Sequence, residues 1–466
     1  MKDFCGVVGI HGHKDASRLA YLALYALQHR GEESAGIVSF DHKKVHIHKG
    51  MGLVGNVFSE DTLKKLKGNI AIGHLRYSTT GSSIAKNVQP LLINHKKGFI
   101  AVAHNGNLTN SVELRNELED SGSILQTTMD SELIVHFLVK DQLNNYRQKI
   151  VPILSKLQGA YSFVLLLNDA IYAARDPFGF RPLCIGKIDS SYIVASETCA
   201  FDMIGATYIR DVDPGEVIII DKSGLTSLKQ PPAPRRAFCI FENIYFARPD
   251  SNIFTKSVYI ARKNLGKTLA KEHPVNADLV MPIPDSGTYA ALGYSEASGI
   301  PLEMAYVRNH YIGRTFIQPS QAIRDFKVRV KLNPIKDVLK GKRIVIVEDS
   351  IVRGTTSRSR VRTLREAGVA EIHMRVSCPP LISPCFYGID FPTKKELIAS
   401  SHSIEEIRQF IGVDSLKYLS LEGMLSSMML PKEDFCTACF TGNYPTTICK
   451  PPSKKALEKR LCKGVM

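Results

Sequence analysis

One stretch constrains the fold more than any other: residues 343–357, Arg-Ile-Val-Ile-Val-Glu-Asp-Ser-Ile-Val-Arg-Gly-Thr-Thr-Ser. Residues 344–347 form a short, continuous apolar run rich in β-branched side chains, the pattern of a parallel strand buried on both faces of a sheet. The run ends in two acids, Glu348 and Asp349, followed by Gly354 and hydroxyls at Ser350, Thr355, Thr356 and Ser357. Open α/β sheets take their ligands at the carboxyl ends of such strands. The turn can aim N–H groups and hydroxyls at phosphate oxygens where the next helix starts; Val361, Leu364 and Ala367 are the apolar residues of that helix and Gly368 its stop. Carboxylates accept hydrogen bonds from ribose hydroxyls, so the acids face a sugar while the loop holds its phosphate.

This string resembles the phosphoribosyl pyrophosphate (PRPP) motif of type I phosphoribosyltransferases, except that Glu348 stands where the amidotransferase branch usually has Asp. A second buried run, Leu279-Val-Met-Pro-Ile-Pro-Asp-Ser-Gly-Thr288, also ends in a polar, glycine-containing turn. Residues 314–331 carry Arg314, Lys327, Arg329 and Lys331 and suit a basic lid over an anionic leaving group. The resemblance implies that Ser286, Arg314, Lys331, Glu348, Asp349, Ser350, Arg353, Gly354, Thr355 and Thr356 bind PRPP. It also implies one Mg2+ per subunit, met by Ser286, Glu348 and Asp349.

At 466 residues the chain has room for about two to four domains, and its 44% apolar content excludes wholesale disorder. No apolar run approaches the roughly 18 residues of a membrane span, and the residues before Cys5 lack the hydrophobic stretch of a secretory signal. A cytoplasmic setting and no membrane partner are therefore expected. Ten cysteines then read as thiols, metal ligands or nucleophiles. The 60 basic against 45 acidic residues, +15 overall, are diffuse apart from the tail from Lys454 to Lys463. With no aromatic-basic motif, this surplus points to phosphate-binding sites and a solvated surface, not to nucleic acid.

The chain opens with Cys5-Gly-Val-Val-Gly-Ile10. If the four preceding residues are removed, Cys5 carries both a thiol and an α-amine, the latter titrating near about 8, so that nucleophile and base are one residue. Polar turns follow at Leu27-Gln-His-Arg-Gly-Glu-Glu-Ser-Ala-Gly36, Gly73-His-Leu-Arg-Tyr-Ser-Thr79, Asn87-Val-Gln-Pro90, His104-Asn-Gly-Asn-Leu108 and Thr128-Met-Asp-Ser-Glu132. In this order they resemble the glutaminase domain of N-terminal nucleophile (Ntn) amidotransferases, with Glu32 in place of the usual Gln. The resemblance implies Cys5 as nucleophile and Asn105 with the Gly106 N–H as oxyanion hole, one such donor being worth roughly 3 to 4 kcal/mol. It further implies that Arg76 binds the glutamine carboxylate and Asp130 its ammonium, with Arg30 counted among the glutamine-binding residues and holding the nucleophile loop. The proline-rich segment Gln230-Pro-Pro-Ala-Pro-Arg-Arg236 reads as a linker.

Two domains of α/β and α+β class are expected. The resemblances imply that residues 1–4 are a propeptide, 5–230 an Ntn αββα sandwich, and 231–466 a type I phosphoribosyltransferase domain with a parallel sheet and a C-terminal cysteine region.

Cys184, Cys199 and Cys378 sit in apolar surroundings as core thiols, and Cys449 and Cys462 lie toward the tail. Cys436-Thr-Ala-Cys439 alone is ambiguous between zinc, redox chemistry and accident. Together with Cys239 and Cys385 it resembles the ligand set of the iron-sulfur branch of glutamine PRPP amidotransferases, which implies one structural [4Fe-4S] cluster per subunit; a structural zinc site on the same thiolates is the competing reading. The resemblance to this family runs from Cys5 to about Pro445. It implies that glutamine hydrolysed at Cys5 supplies ammonia to C1 of PRPP, giving phosphoribosylamine, glutamate and pyrophosphate in the first step of purine synthesis. A homotetramer inhibited by purine nucleotides is implied as well. The rival readings are another Ntn amidotransferase, which would lack the 343–357 motif, and a PRPP-sensing, nucleic-acid-binding regulator, which would need no cysteine-led glutaminase.

Overall fold

The computed structural model describes residues 5–77, 83–140, 145–308, 332–391 and 393–448. Its first part is two stacked antiparallel sheets. Seven strands pair in the order Thr207–Asp211, Cys184–Ile188, Ser191–Ala195, Gly6–His11, Ile70–Arg76, Ser34–Phe40 and Val45–Met51. Six more pair in the order Gly224–Lys229, Glu216–Asp221, Ala170–Arg175, Gly159–Leu167, Gly98–Leu108 and Leu91–His95. Because side chains alternate across a strand, Val7, Val38 and Ile72 point into the inter-sheet core with Ala101, Val164 and Ile218. Their neighbours Val8 and Leu75 pack outward, with Ala20 and Leu24 of helix Ala16–Ala26. On the other side, Val102, Phe163 and Leu165 meet Leu133 and Ile134 of helix Ser131–Lys140. With both sheet faces covered, the strands read as unbroken apolar runs even though they are antiparallel. The result is the αββα sandwich.

The segment 230–237 forms neither strand nor helix, and beyond it the chain enters a second core built on a parallel sheet. Its strands, in spatial order, are Leu279–Pro282, Arg343–Glu348, Glu371–Val376 and Ser415–Tyr418. Residues 344–347 are fully buried, flanked by helices that include Val258–Glu272, Thr288–Ser298 and Thr355–Glu366. On its other side Val280 bridges Leu302. The chain therefore leaves Leu279–Pro282 first to one side and then to the other. That reversal opens a crevice at the carboxyl ends of strands Leu279–Pro282 and Arg343–Glu348, where ligands of open sheets sit.

Candidate functional site

Cys5 immediately precedes strand Gly6–His11 and is 7% exposed. Its thiol donates to the Tyr77 carbonyl at 3.4 Å. Burial pushes it up to about 11; the Tyr77 contact and Arg76 oppose that rise, Glu33 and Asp130 add to it. At neutral pH such a thiol is protonated. Arg76, at the end of the adjacent strand, is buried, which holds its guanidinium below the usual range. Asp130 accepts from the Leu108 N–H at 2.9 Å and faces His104 Nδ1 at 3.3 Å. Burial alone would raise its carboxyl, but His104 and the backbone donors bring it below the ordinary value.

Strand Gly98–Leu108 carries the His-Asn-Gly-Asn segment. Asn105 is fully buried, and neither its Oδ1 nor its Nδ2 has a hydrogen-bond partner among the described residues. Gly106 has φ +152, and a Cβ there would lie 2.1 Å from the Ala160 carbonyl oxygen and 2.9 Å from His104 Nε2, so only glycine fits.

Arg30 is placed differently from a glutamine ligand. It is fully buried, gives Nε to the Cys5 carbonyl at 3.1 Å, and directs its remaining donors to Glu197 and Glu242. It supports the backbone of Cys5, as expected of a residue that holds this loop, and does not point into open space.

The residues expected to bind PRPP split. Ser286 donates to Asp349 Oδ2 and Ser350 to Oδ1, which joins the two loops at the crevice. Glu348 is buried; burial raises its carboxyl to about 7, opposed by Arg360, whose Nη1 donates to Oε2 at 2.8 Å. Gly354 precedes helix Thr355–Glu366 at φ +71, leaving Thr355 and Thr356 exposed at the helix start. Arg353 is exposed and paired with Glu396 at 2.7 Å. Arg314 and Lys331 lie outside the described residues, as do residues 1–4, the rest of the 314–331 segment, Cys449 and Cys462.

Cys239, Cys385, Cys436 and Cys439 line one cavity, with Phe180, Phe241, Tyr387, Ile389 and Ala438. Strands Phe238–Cys239 and Phe435–Cys436 pair in parallel, setting Cys239 opposite Cys436. All four thiols are raised, first by burial. Among the described residues, however, no three His, Cys, Asp or Glu side chains are grouped to hold a single metal ion. The cavity is also closer to the first site than its sequence position suggests. Asn107 Nδ2 donates to the Phe386 carbonyl at 2.9 Å, Tyr77 Oη to Asp390 Oδ2 at 3.3 Å, and a Cβ on Gly388 would sit 3.1 Å from the Gly106 carbonyl carbon.

Sequence reasoning missed Glu242, Arg181, Arg360 and the 386–390 loop. The available signal was a charge inside an apolar run: Glu242 follows Phe-Cys-Ile-Phe.

Comparison with known proteins agrees with this geometry. A family model described as a glutamine amidotransferase domain matches residues 74–203. The chain is 51% identical over 453 residues to the amidophosphoribosyltransferase of Bacillus subtilis (strain 168), covering 96% of this chain and 95% of that one. It is 50% identical over 453 residues to the amidophosphoribosyltransferase of Methanothermobacter thermautotrophicus, covering 96% of each. Among solved structures, the glutamine PRPP amidotransferase from B. subtilis complexed with ADP and GMP superimposes with a TM-score of 0.91 at 51% identity, over 95% of this chain and 98% of that one. With this identity over nearly its whole length, and the same fold, the chain belongs to the amidophosphoribosyltransferase family.

Proposed function

We infer that the protein is an amidophosphoribosyltransferase of purine biosynthesis that hydrolyses glutamine at Cys5 and delivers the ammonia to C1 of PRPP, releasing pyrophosphate. The observation that carries the first half-reaction is the buried, unpartnered Asn105 amide next to a position only glycine can occupy. A buried amide without a partner costs about 1 to 3 kcal/mol, which a ligand oxyanion would repay. Arg76 and Asp130 supply opposite charges for the carboxylate and ammonium of glutamine. Because the Cys5 thiol is raised, it needs a proton acceptor, and removal of residues 1–4 would provide one in the Cys5 α-amine. Attack then gives a thioester, and water releases glutamate.

At the crevice, Thr355 and Thr356 at a helix start suit the 5-phosphate, and Asp349 suits the ribose hydroxyls. Ser286 and Asp349 offer the hard oxygens that Mg2+ takes, while Arg360 occupies one oxygen of Glu348. Bound there, Mg2+ would neutralise charge on the leaving pyrophosphate. Cys239, Cys385, Cys436 and Cys439, which line one cavity, would hold a structural iron-sulfur cluster, with zinc on the same thiolates as the competing occupant. Such a cluster would tie residues 239, 385 and 436–439 together. Feedback by purine nucleotides and a homotetramer complete the proposal; a B. subtilis relative was solved with ADP and GMP.

Glutamate release measured with and without PRPP tests this reading. Release coupled to PRPP, with phosphoribosylamine formed, supports it. Release indifferent to PRPP would assign another Ntn amidotransferase, and no release a regulator. Intact mass of the active protein should begin at Cys5; an active chain retaining Phe4 would overturn the processing step.

A further inference from the structure

Where the two cores meet, a single carboxylate gathers two buried arginines. Glu242 takes a fork from Arg30, with Nη1 to Oε2 at 3.0 Å and Nη2 to Oε1 at 2.8 Å, and a further contact from Arg181 Nη1 to Oε1 at 3.3 Å. All three side chains have no exposed surface. The paired fork fixes direction as well as distance. Arg30 gives its Nε to the Cys5 carbonyl, so the angle set by the Glu242 fork, alongside the Glu197 contact, is passed to the backbone of Cys5. Arg181 places Nε and Nη2 on the Tyr387 carbonyl, next to Gly388, which lies against Gly106. Glu242 opens a single π-helical turn, Glu242–Phe246, closed by the Ala247 N–H on its carbonyl at 3.0 Å. Such turns are frequent at functional sites.

We propose that Glu242, contributed from beyond the linker, is a positioning residue for glutamine hydrolysis: it holds Cys5 through Arg30 and the oxyanion-hole glycine through Arg181 and the 386–388 loop. Glu242 contacts neither thiol nor substrate, so its effect falls on kcat and not on glutamine affinity. The glutaminase part then depends on the second part for its geometry, apart from any delivery of ammonia. The inference rests on Cys5 being the nucleophile.

The test uses the full-length, processed protein with Glu242→Gln and Glu242→Asp. Glu242→Gln keeps the shape but replaces one acceptor with a donor facing the guanidinium groups; Glu242→Asp keeps the charge and shortens the reach. Misplacing a reacting group by about 1 Å can cost on the order of 100-fold. Glu242→Gln should therefore lower the glutamine-dependent kcat about 10- to 100-fold while glutamine KM changes less than about threefold. Synthesis from added ammonia, which bypasses Cys5, should stay within about twofold, and Glu242→Asp should recover part of the lost kcat. Unchanged glutamine kcat in Glu242→Gln overturns the proposal, as does a loss expressed in KM alone. Equal loss of glutamine- and ammonia-dependent synthesis in both variants also overturns it, since that marks a structural role. Should Glu242→Gln fail to fold, Glu242→Asp decides by the same comparison. Cys5→Ala separates the two levels of inference. Glutamine use surviving in Cys5→Ala overturns the nucleophile assignment; its loss there, with full activity in Glu242→Gln, overturns only the role of Glu242.

Discussion

Replacing Asn105 with leucine should move activity and stability in opposite directions. The amide is fully buried, and neither of its polar atoms has a partner among the described residues. Burying an unsatisfied polar group costs about 1 to 3 kcal/mol, and leucine fills nearly the same volume without that penalty. Allowing for imperfect packing of the branched side chain, a gain of about 1 kcal/mol remains. For a unit of this size that is an upward shift of roughly 2 to 4 °C in Tm. Catalysis pays the opposite sign: loss of one oxyanion donor removes about 3 to 4 kcal/mol from the transition state, or 10²- to 10³-fold in kcat. The assay pairs thermal unfolding of the ligand-free protein with glutamate release, using ammonia-dependent synthesis as an internal control. A fall in Tm would show that the amide is already satisfied in the resting protein. Unaltered glutamate release would remove Asn105 from the oxyanion hole.

Three other outcomes are expected. Cys5→Ala should abolish synthesis from glutamine and retain synthesis from added ammonia, whereas Asp349→Ala, which disconnects Ser286 and Ser350, should abolish both; loss of both in Cys5→Ala would argue against separate sites. Anaerobically purified protein should carry four irons per chain and absorb in the visible, and Cys436→Ser should lower both colour and thermal stability; a colourless protein with one zinc would replace the cluster while keeping the tie. Glu197 is buried, which by itself would raise its carboxyl, yet His29 and Arg30 hold it below its ordinary value of 4.5. An acid depressed in the folded state adds stability above that value and loses it as the pH falls below it. Glu197→Gln should therefore lower the urea midpoint clearly at pH 7 and less with each step below about 4.5; a difference independent of pH would contradict this.

Much of the candidate site was legible because it is local. The run at residues 344–347 and the acids that end it are neighbours in sequence, and a strand end converts that adjacency directly into a ligand crevice. Cys5, the His-Asn-Gly-Asn segment and the Cys-x-x-Cys pair are likewise short strings whose chemistry lies in the residue types themselves. The orientation of Glu348 was not legible, since it depends on a helix face that brings Arg360, 12 residues on, back over the strand. For Arg30 the hold on the Cys5 loop was legible but its partner was not: Glu242, 212 residues away, turns it inward. The same holds for strand Gly98–Leu108, where Asn107 meets the Phe386 carbonyl across 279 residues. Sequence by itself determined the family resemblance and the candidate groups for the chemistry, because motif identity and hydrophobic period are properties of adjacent residues. Only the tertiary structure decided which groups aim them, because a buried ion pair forms wherever packing removes water from both partners, and no periodicity in either segment encodes where the other will lie.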